Sequence, residues 1–246
     1  MIMKIAINYA KAIIPSIWMH FFAGKGELRS LLYETAKVNK QALSISTCLE
    51  LIERIEVILS DSDHPRVWRD KIGSDSRIWG FEKDIAELVE EFEVERWIKA
   101  VDQYTGRKTR SWCLMANRVV PIGGNLGSGG GMHRDSPFSH QVKCIWYLNN
   151  VDGSNGPFQY LPGTNTNLVR DRNQYPLGVS RFNEIKVKAQ EVHAKAGSLL
   201  ICDTKCIHGG KPIESGLRYA VTLYTFPGKA GPEKIFEQSG LDPALV

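Results

Sequence analysis

The chain has 246 residues, 43% of them hydrophobic and 24% charged, the composition of an ordinary soluble protein long enough to bury a substantial core. Its net charge of +4 comes without runs of Lys or Arg, which argues against a nucleic-acid-binding protein and points to no partner. Five cysteines (Cys48, Cys113, Cys144, Cys202 and Cys206) are an odd count in a chain this long, which argues against a disulfide framework and fits reduced thiols in the cytoplasm.

The N-terminal stretch 5–23 is apolar but interrupted by Asn8, Lys11, Pro15 and His20. No small-residue cleavage site follows, so a buried helix or a surface-lying amphipathic segment is expected, without stable membrane insertion. Residues 28–45 carry apolar side chains at near-helical spacing. Ser46-Thr47 then offers a cap for a second helix running to Leu59, which the breaker Asp61-Ser62-Asp63-His64-Pro65 ends. Residues 82–101 give the clearest helical pattern, with Ile85, Leu88, Val89, Phe92, Trp97, Ile98 and Val101 on one side and a solvated acidic face opposite. Tyr104-Thr105-Gly106 closes it.

From Ser111 the pattern changes to short β-rich runs separated by Gly, Pro, Asn and Asp clusters: 111–121, 141–151, 158–161, 184–194, 198–202 and 219–226. Many short strands with turn punctuation predict a sandwich or jelly roll. The expected organisation is a helical N-terminal extension (1–109), a mainly β core (110–228) and a C-terminal tail (229–246).

Chemistry concentrates in the β region. A glycine-rich loop, Gly127-Ser128-Gly129-Gly130-Gly131, leads into His133-Arg134-Asp135, and His208 and Arg218 follow far downstream. Residues two apart on a strand point to the same side, so His133 and Asp135 share a face while Arg134 points away. Two imidazoles and one carboxylate are the ligand set of a facial triad for non-heme Fe(II) with open positions. Arg218 is a candidate clamp for a co-substrate carboxylate. His-x-Asp alone is a weak signal; its place near the start of a β-rich region, with a late His and an Arg opening the last strand, strengthens it.

The stretch 111–226 resembles the phytanoyl-CoA dioxygenase family of Fe(II)/2-oxoglutarate-dependent oxygenases. The residues that carry the resemblance are His133-Arg134-Asp135, Trp146 to Asp152, Asn155-Gly156-Pro157 through Leu161-Pro162-Gly163-Thr164-Asn165, Gly197 to Leu200, and His208-Gly209-Gly210 with Arg218. The resemblance implies a double-stranded β-helix, a cupin-like jelly roll. It further implies a metal site and catalytic centre at His133, Asp135 and His208, and 2-oxoglutarate and O2 as co-substrates. Arg218 would hold the far carboxylate of 2-oxoglutarate, and Met115 would touch the same molecule. Two departures stand out. Asn165 replaces the family's His, and Ala220 stands where many related oxygenases carry Ser or Thr two residues after the Arg; Lys143, Tyr147 and Thr222 are candidates to supply the missing polar group. Asp135 argues against halogenation, which needs a small residue there.

The implied activity is a dioxygenase hydroxylating a small-molecule substrate (a metabolite, lipid or sugar), with desaturation and ring closure as other oxidative outcomes. Two other classes stay open: a cupin-like metal-dependent isomerase or epimerase, and a non-catalytic sugar-binding jelly roll. Among other residues, His193 reads as a structural histidine in a strand, and His140 as a surface or rim residue. Arg170, Arg172 and Arg181 read as a solvated loop, with capture of an anionic substrate the alternative. Cys202, Cys206 and His208 make a poor zinc site. The sequence carries no signal for oligomeric state.

Overall fold

The computed structural model describes residues 25–135, 141–166, 174–175, 188–228 and 231–245. The expectations for the segment 5–23, and those for His140, Arg170, Arg172 and Arg181, lie outside these residues. Two antiparallel sheets face each other. Sheet one has seven strands in the order β1-β10-β6-β12-β4-β3-β2, comprising β1 (Ala36–Asn39), β2 (Val67–Arg69), β3 (Asp75–Trp79), β4 (Ser111–Val119), β6 (Val142–Tyr147), β10 (Leu199–Asp203) and β12 (Arg218–Phe226). Sheet two has five, in the order β8-β5-β11-β7-β9, comprising β5 (Met132–His133), β7 (Phe158–Tyr160), β8 (Gln174–Tyr175), β9 (Gln190–Val192) and β11 (His208–Gly210). This is the jelly-roll core that the strand pattern predicted.

Sheet one is covered on both faces, which explains why β10 and β12 are buried at every position and do not alternate. One face packs Leu114, Ala116, Cys144, Trp146, Leu199, Ile201 and Val221 under the N-terminal helices. The opposite face turns Tyr147, Leu200, Cys202 and Ala220 toward Phe158 and Tyr160 of sheet two.

The helical layer is real but cut differently from the sequence pattern. Residues 28–45 do not form a helix; a short α1 (Leu31–Glu34) gives way to β1. Thr35 makes the break, with φ +67. Its hydroxyl donates to Asn165 Oδ1 at 3.0 Å and accepts from the Gly163 amide at 2.8 Å. Tertiary hydrogen bonds thus override a local helical period. α2 (Ile45–Ser60) starts earlier than expected, because Ser44 is the cap and accepts from the Thr47 amide at 3.0 Å. Its buried stripe is Cys48, Leu51, Ile55 and Leu59.

The expected helix over 82–101 is also broken. A 3-10 segment, Ala86–Phe92, and α3 (Val94–Thr105) meet at Glu93, which has φ +46. Both Phe92 and Trp97 are buried, and Phe92 meets Trp146 edge-on at 5.1 Å. In one straight helix these two positions would stand about 140° apart; the break brings both onto the core. The acidic face is not wholly solvated either: the Glu82 carboxylate accepts from the Leu114 amide at 2.8 Å.

The division expected at residue 110 runs through the middle of sheet one, since β3 pairs with β4 from Asp75↔Val119 to Trp79↔Met115. The C-terminal segment is structured as α4 (Pro232–Gln238), whose Phe236 is fully buried against Trp79 with ring centroids 6.2 Å apart. Among the described residues no helix is long and apolar enough to cross a membrane.

Candidate active site

A cavity of about 300 Å³ opens between the two sheets. His133, Asp135 and His208 line one end of it, and one ligand atom from each lies within 4.8 Å of the others. Among the described residues this is the one group of three His, Cys, Asp or Glu side chains able to hold a metal. His133 and His208 are direct partners across β5 and β11, which brings residues far apart in sequence into one plane of the sheet. Their rings lie 4.4 Å apart, and Phe158 stacks on the far side of His208 at 5.4 Å.

Backbone carbonyls set the tautomers. His133 Nδ1 lies 2.9 Å from the Gly131 carbonyl oxygen and His208 Nδ1 3.1 Å from that of Cys206. Each Nδ1 therefore carries the proton and donates, leaving Nε2 as a lone-pair donor toward the cavity. Both Nε2 atoms stand 3.6 Å from Asp135 carboxylate oxygens. Burial lowers the His133 pKa, with Asp135 partly opposing, and burial together with neighbouring His133 pushes His208 down to about 3. Both rings are thus neutral at physiological pH, the form a metal requires.

Local sequence explains the fit. A Cβ on Gly129, whose φ is +93, would stand 2.5 Å from His133 Cε1, and one on Gly209 would stand 2.7 Å from the Gly131 oxygen. The glycine loop is therefore the close lid over the first histidine and not a phosphate cradle. Arg134 points away, as predicted, and its buried guanidinium donates to the Thr164 and Lys205 carbonyls at 2.6 and 2.7 Å. It ties the 164 turn to the loop before His208.

Cross-strand register decides what else faces the cavity. Alternate residues of β3, β4, β6 and β12 form rows: Arg77, Asn117, Ala220 and Tyr147 in one, Trp79, Met115, Thr222 and Ile145 in the next. All eight line the cavity. Met115 lies on the cavity wall, and Arg218 lines the cavity beyond the first row. Lys143 pairs with Asp135 Oδ2 at 2.7 Å and lies over the Tyr224 ring. Burial would lower the Lys143 pKa, but the Asp135 charge holds it above the ordinary lysine value.

Several cavity residues carry no motif. Arg77 donates through Nε and Nη2 to Asp75 Oδ2 at 3.1 and 2.7 Å, and Ser128 reaches the same oxygen at 2.9 Å. Burial alone would raise the Asp75 carboxyl, yet the adjoining guanidiniums of Arg77 and Arg218 keep it below its usual value. The signal available was the Asp-x-Arg spacing at 75–77, which on a strand puts both groups on one face. Ile235, Gln238 and Ser239 also line the cavity.

Other residues fall elsewhere. His193 is exposed and pairs with Glu191 at 3.0 Å, a surface contact and not a structural one. Cys202 and Cys206 lie 3.8 Å apart among apolar side chains and, among the described residues, join no group of three metal-ligating side chains. Asn165, the departure from the family pattern, is fully buried; its amide donates to the Leu31 carbonyl at 2.9 Å and to Asp203 at 3.3 Å.

The phytanoyl-CoA dioxygenase (PhyH) family profile matches residues 38–218. No curated protein matches the chain in sequence. Solved structures of similar fold include HygX from Streptomyces hygroscopicus with nickel and 2-oxoglutarate bound, at TM-score 0.60 and 14% identity over 83% of this chain and 87% of that one. The epimerase SnoN from nogalamycin biosynthesis gives TM-score 0.57 and 13% identity over 80% of each chain. A prolyl-4-hydroxylase from Pseudomonas putida gives TM-score 0.55 and 12% identity over 81% of this chain and 96% of that one.

Proposed function

This chain belongs to the phytanoyl-CoA dioxygenase family, and we propose that it is an Fe(II)/2-oxoglutarate-dependent oxygenase that hydroxylates a small molecule. The observation that carries the reading is the convergence of His133 Nε2, His208 Nε2 and the Asp135 carboxylate on the wall of the cavity between the two sheets, with Arg218 also on its wall. Two neutral imidazoles and one carboxylate fit Fe(II) and leave one face of it open. When bound, Fe(II) and 2-oxoglutarate supply the power to oxidise a C–H bond with O2, releasing succinate and CO2.

The residues of this chain do the rest. His133, Asp135 and His208 hold the metal, and the Gly131 and Cys206 carbonyls keep both rings oriented. Lys143 tethers the Asp135 carboxylate. Arg218 supplies a guanidinium for the far carboxylate of 2-oxoglutarate, and Met115 packs against its chain. The apolar surfaces of Trp79, Ile145 and Phe158 keep water away from the reacting end. Five buried free thiols support a reducing compartment, the cytoplasm.

The test is an anaerobic titration with Fe(II) and 2-oxoglutarate. A weak visible charge-transfer band is expected, and it disappears in His133→Ala. Bound metal without a band would overturn the co-substrate assignment. Product turnover without succinate would favour an isomerase or epimerase on the same jelly roll.

A further inference from the structure

The strand pairing that brings the metal ligands together is thin. β5 meets β11 at the single pair His133↔His208. Asp135 lies beyond the end of β5, where its amide donates to the Thr204 carbonyl at 2.9 Å. A working site has to be held within about 0.5 Å by the side chains around it, and so short a ladder leaves that task to the neighbouring loops.

Arg134 braces the ladder from the opposite face. Its buried Nη1 donates to both the Thr164 and the Lys205 carbonyls, at 2.6 and 2.7 Å. Lys205 stands in the loop that leads into His208. Thr164 reaches the same loop a second time: its hydroxyl accepts from the Ile207 amide at 2.9 Å and donates to the Leu161 carbonyl at 2.7 Å. The Leu161 amide in turn donates to the Ile207 carbonyl at 2.9 Å. These bonds close a ring. It runs from Arg134 through Thr164 and Ile207 to His208, and returns across the ladder to His133, the neighbour of Arg134.

An arginine is a costly choice for this position. Charged side chains are rarely buried unless paired, and among the described residues this guanidinium meets carbonyl oxygens and no carboxylate. Its Nε is buried with no partner at all. The geometry satisfies the two loops and leaves part of the guanidinium unpaired. What the group provides is a rigid bridge: one nitrogen with two protons fixes both carbonyls, and so both loops, at once.

We propose that Arg134 is a positioning residue for the metal. It fixes the distance between the His133–Asp135 pair and His208, and so sets how tightly and in what geometry the three ligands hold a divalent cation. The inference rests on the metal site of the oxygenase reading above and on no feature of the co-substrate.

The test uses the full chain, stripped of metal by a chelator, with Co(II) as the probe. Co(II) affinity and ligand-field absorption, which follows coordination geometry, are measured for the wild type, Arg134→Met, Arg134→Lys and Thr164→Val. Each is measured well below its own thermal midpoint, so that loss of folded protein is not read as loss of affinity. Arg134→Met keeps the length of the side chain and removes both donors; it should bind Co(II) about 10-fold more weakly, with a shifted absorption. Arg134→Lys keeps a charged donor and should recover part of both changes. Thr164→Val breaks the ring at the Ile207 amide and should change affinity and absorption in the same direction with Arg134 in place. Wild-type affinity and absorption in a folded Arg134→Met overturn the proposal. Should that variant not fold, Thr164→Val decides, and wild-type values there overturn it. Weaker binding with an unchanged absorption also overturns it, since the ligands would then keep their arrangement. A wild-type chain that takes up no Co(II) defeats the metal-site reading itself, a result distinct from the others.

Discussion

His133 and His208 occupy directly opposed positions on β5 and β11, with their rings 4.4 Å apart and their Nδ1 atoms turned to backbone carbonyls of their own strands' approaches. The metal-binding geometry is thus written into strand register. A slip of one residue would send one ring to the opposite face of the sheet.

Gly129→Ala tests how closely the glycine loop holds the first histidine. The added methyl would stand 2.5 Å from His133 Cε1, at a residue whose φ is +93. Displacing the ring should weaken metal binding about 10-fold, in line with other losses of support around a ligand. Isothermal titration with Fe(II) or a redox-inert divalent surrogate measures it; an unchanged affinity would mean that the loop moves aside.

The metal-free protein should lose stability as pH falls from 6.5. Above that value both folded and unfolded states hold neutral imidazoles. Below it the unfolded chain takes up protons that His208 refuses until about pH 3 and that His133, also lowered, resists. Protons therefore favour the unfolded state throughout this window. Urea denaturation of chelator-treated protein between neutral pH and about pH 5 should give a falling free energy, and a flat profile would mean that both rings are solvated.

Asn165→Ala should destabilise the fold without touching the metal site. Its amide joins the Leu31 carbonyl, Asp203 and Thr35, so truncation strands buried groups on both the helical layer and the core. The expected cost is about 2–3 kcal/mol, read from thermal or chemical unfolding. The charge-transfer band should survive at temperatures where the variant is folded.

Phe236→Ala should release α4 from Trp79. The ring is fully buried and sits 6.2 Å from the indole, so its loss leaves a hole at the one fully buried ring of that helix (cost about 3 kcal/mol). Limited proteolysis should then cut first within residues 231–245, with Fe(II) and 2-oxoglutarate binding retained. Resistance equal to wild type would mean that Ile235 and Leu241 suffice to hold the segment.

Much of the centre was legible in the chain itself. His-x-Asp spacing places two groups on one face of a strand whatever the fold, the strand punctuation after Ser111 predicts a jelly roll, and the Asn-Gly-Pro and Leu-Pro-Gly segments carry the family resemblance. Local sequence misled where tertiary contacts outweigh a helical period: at Thr35, whose hydroxyl bonds hold a left-handed turn, and at Glu93, where the chain breaks so that Phe92 and Trp97 both reach the core.

What only the tertiary structure decided is which side chains from distant strands meet. Nothing in the sequence pairs Ala220 with Tyr147, sets Lys143 against Asp135 on the wall of the same cavity, or folds α4 back so that Ile235 and Gln238 line it. Each local segment dictates which residues share a face; the register between strands, fixed by the burial of both faces of sheet one, dictates which faces meet. The identity of the metal-binding group belongs to the first kind of information, and the shape of the space around it to the second.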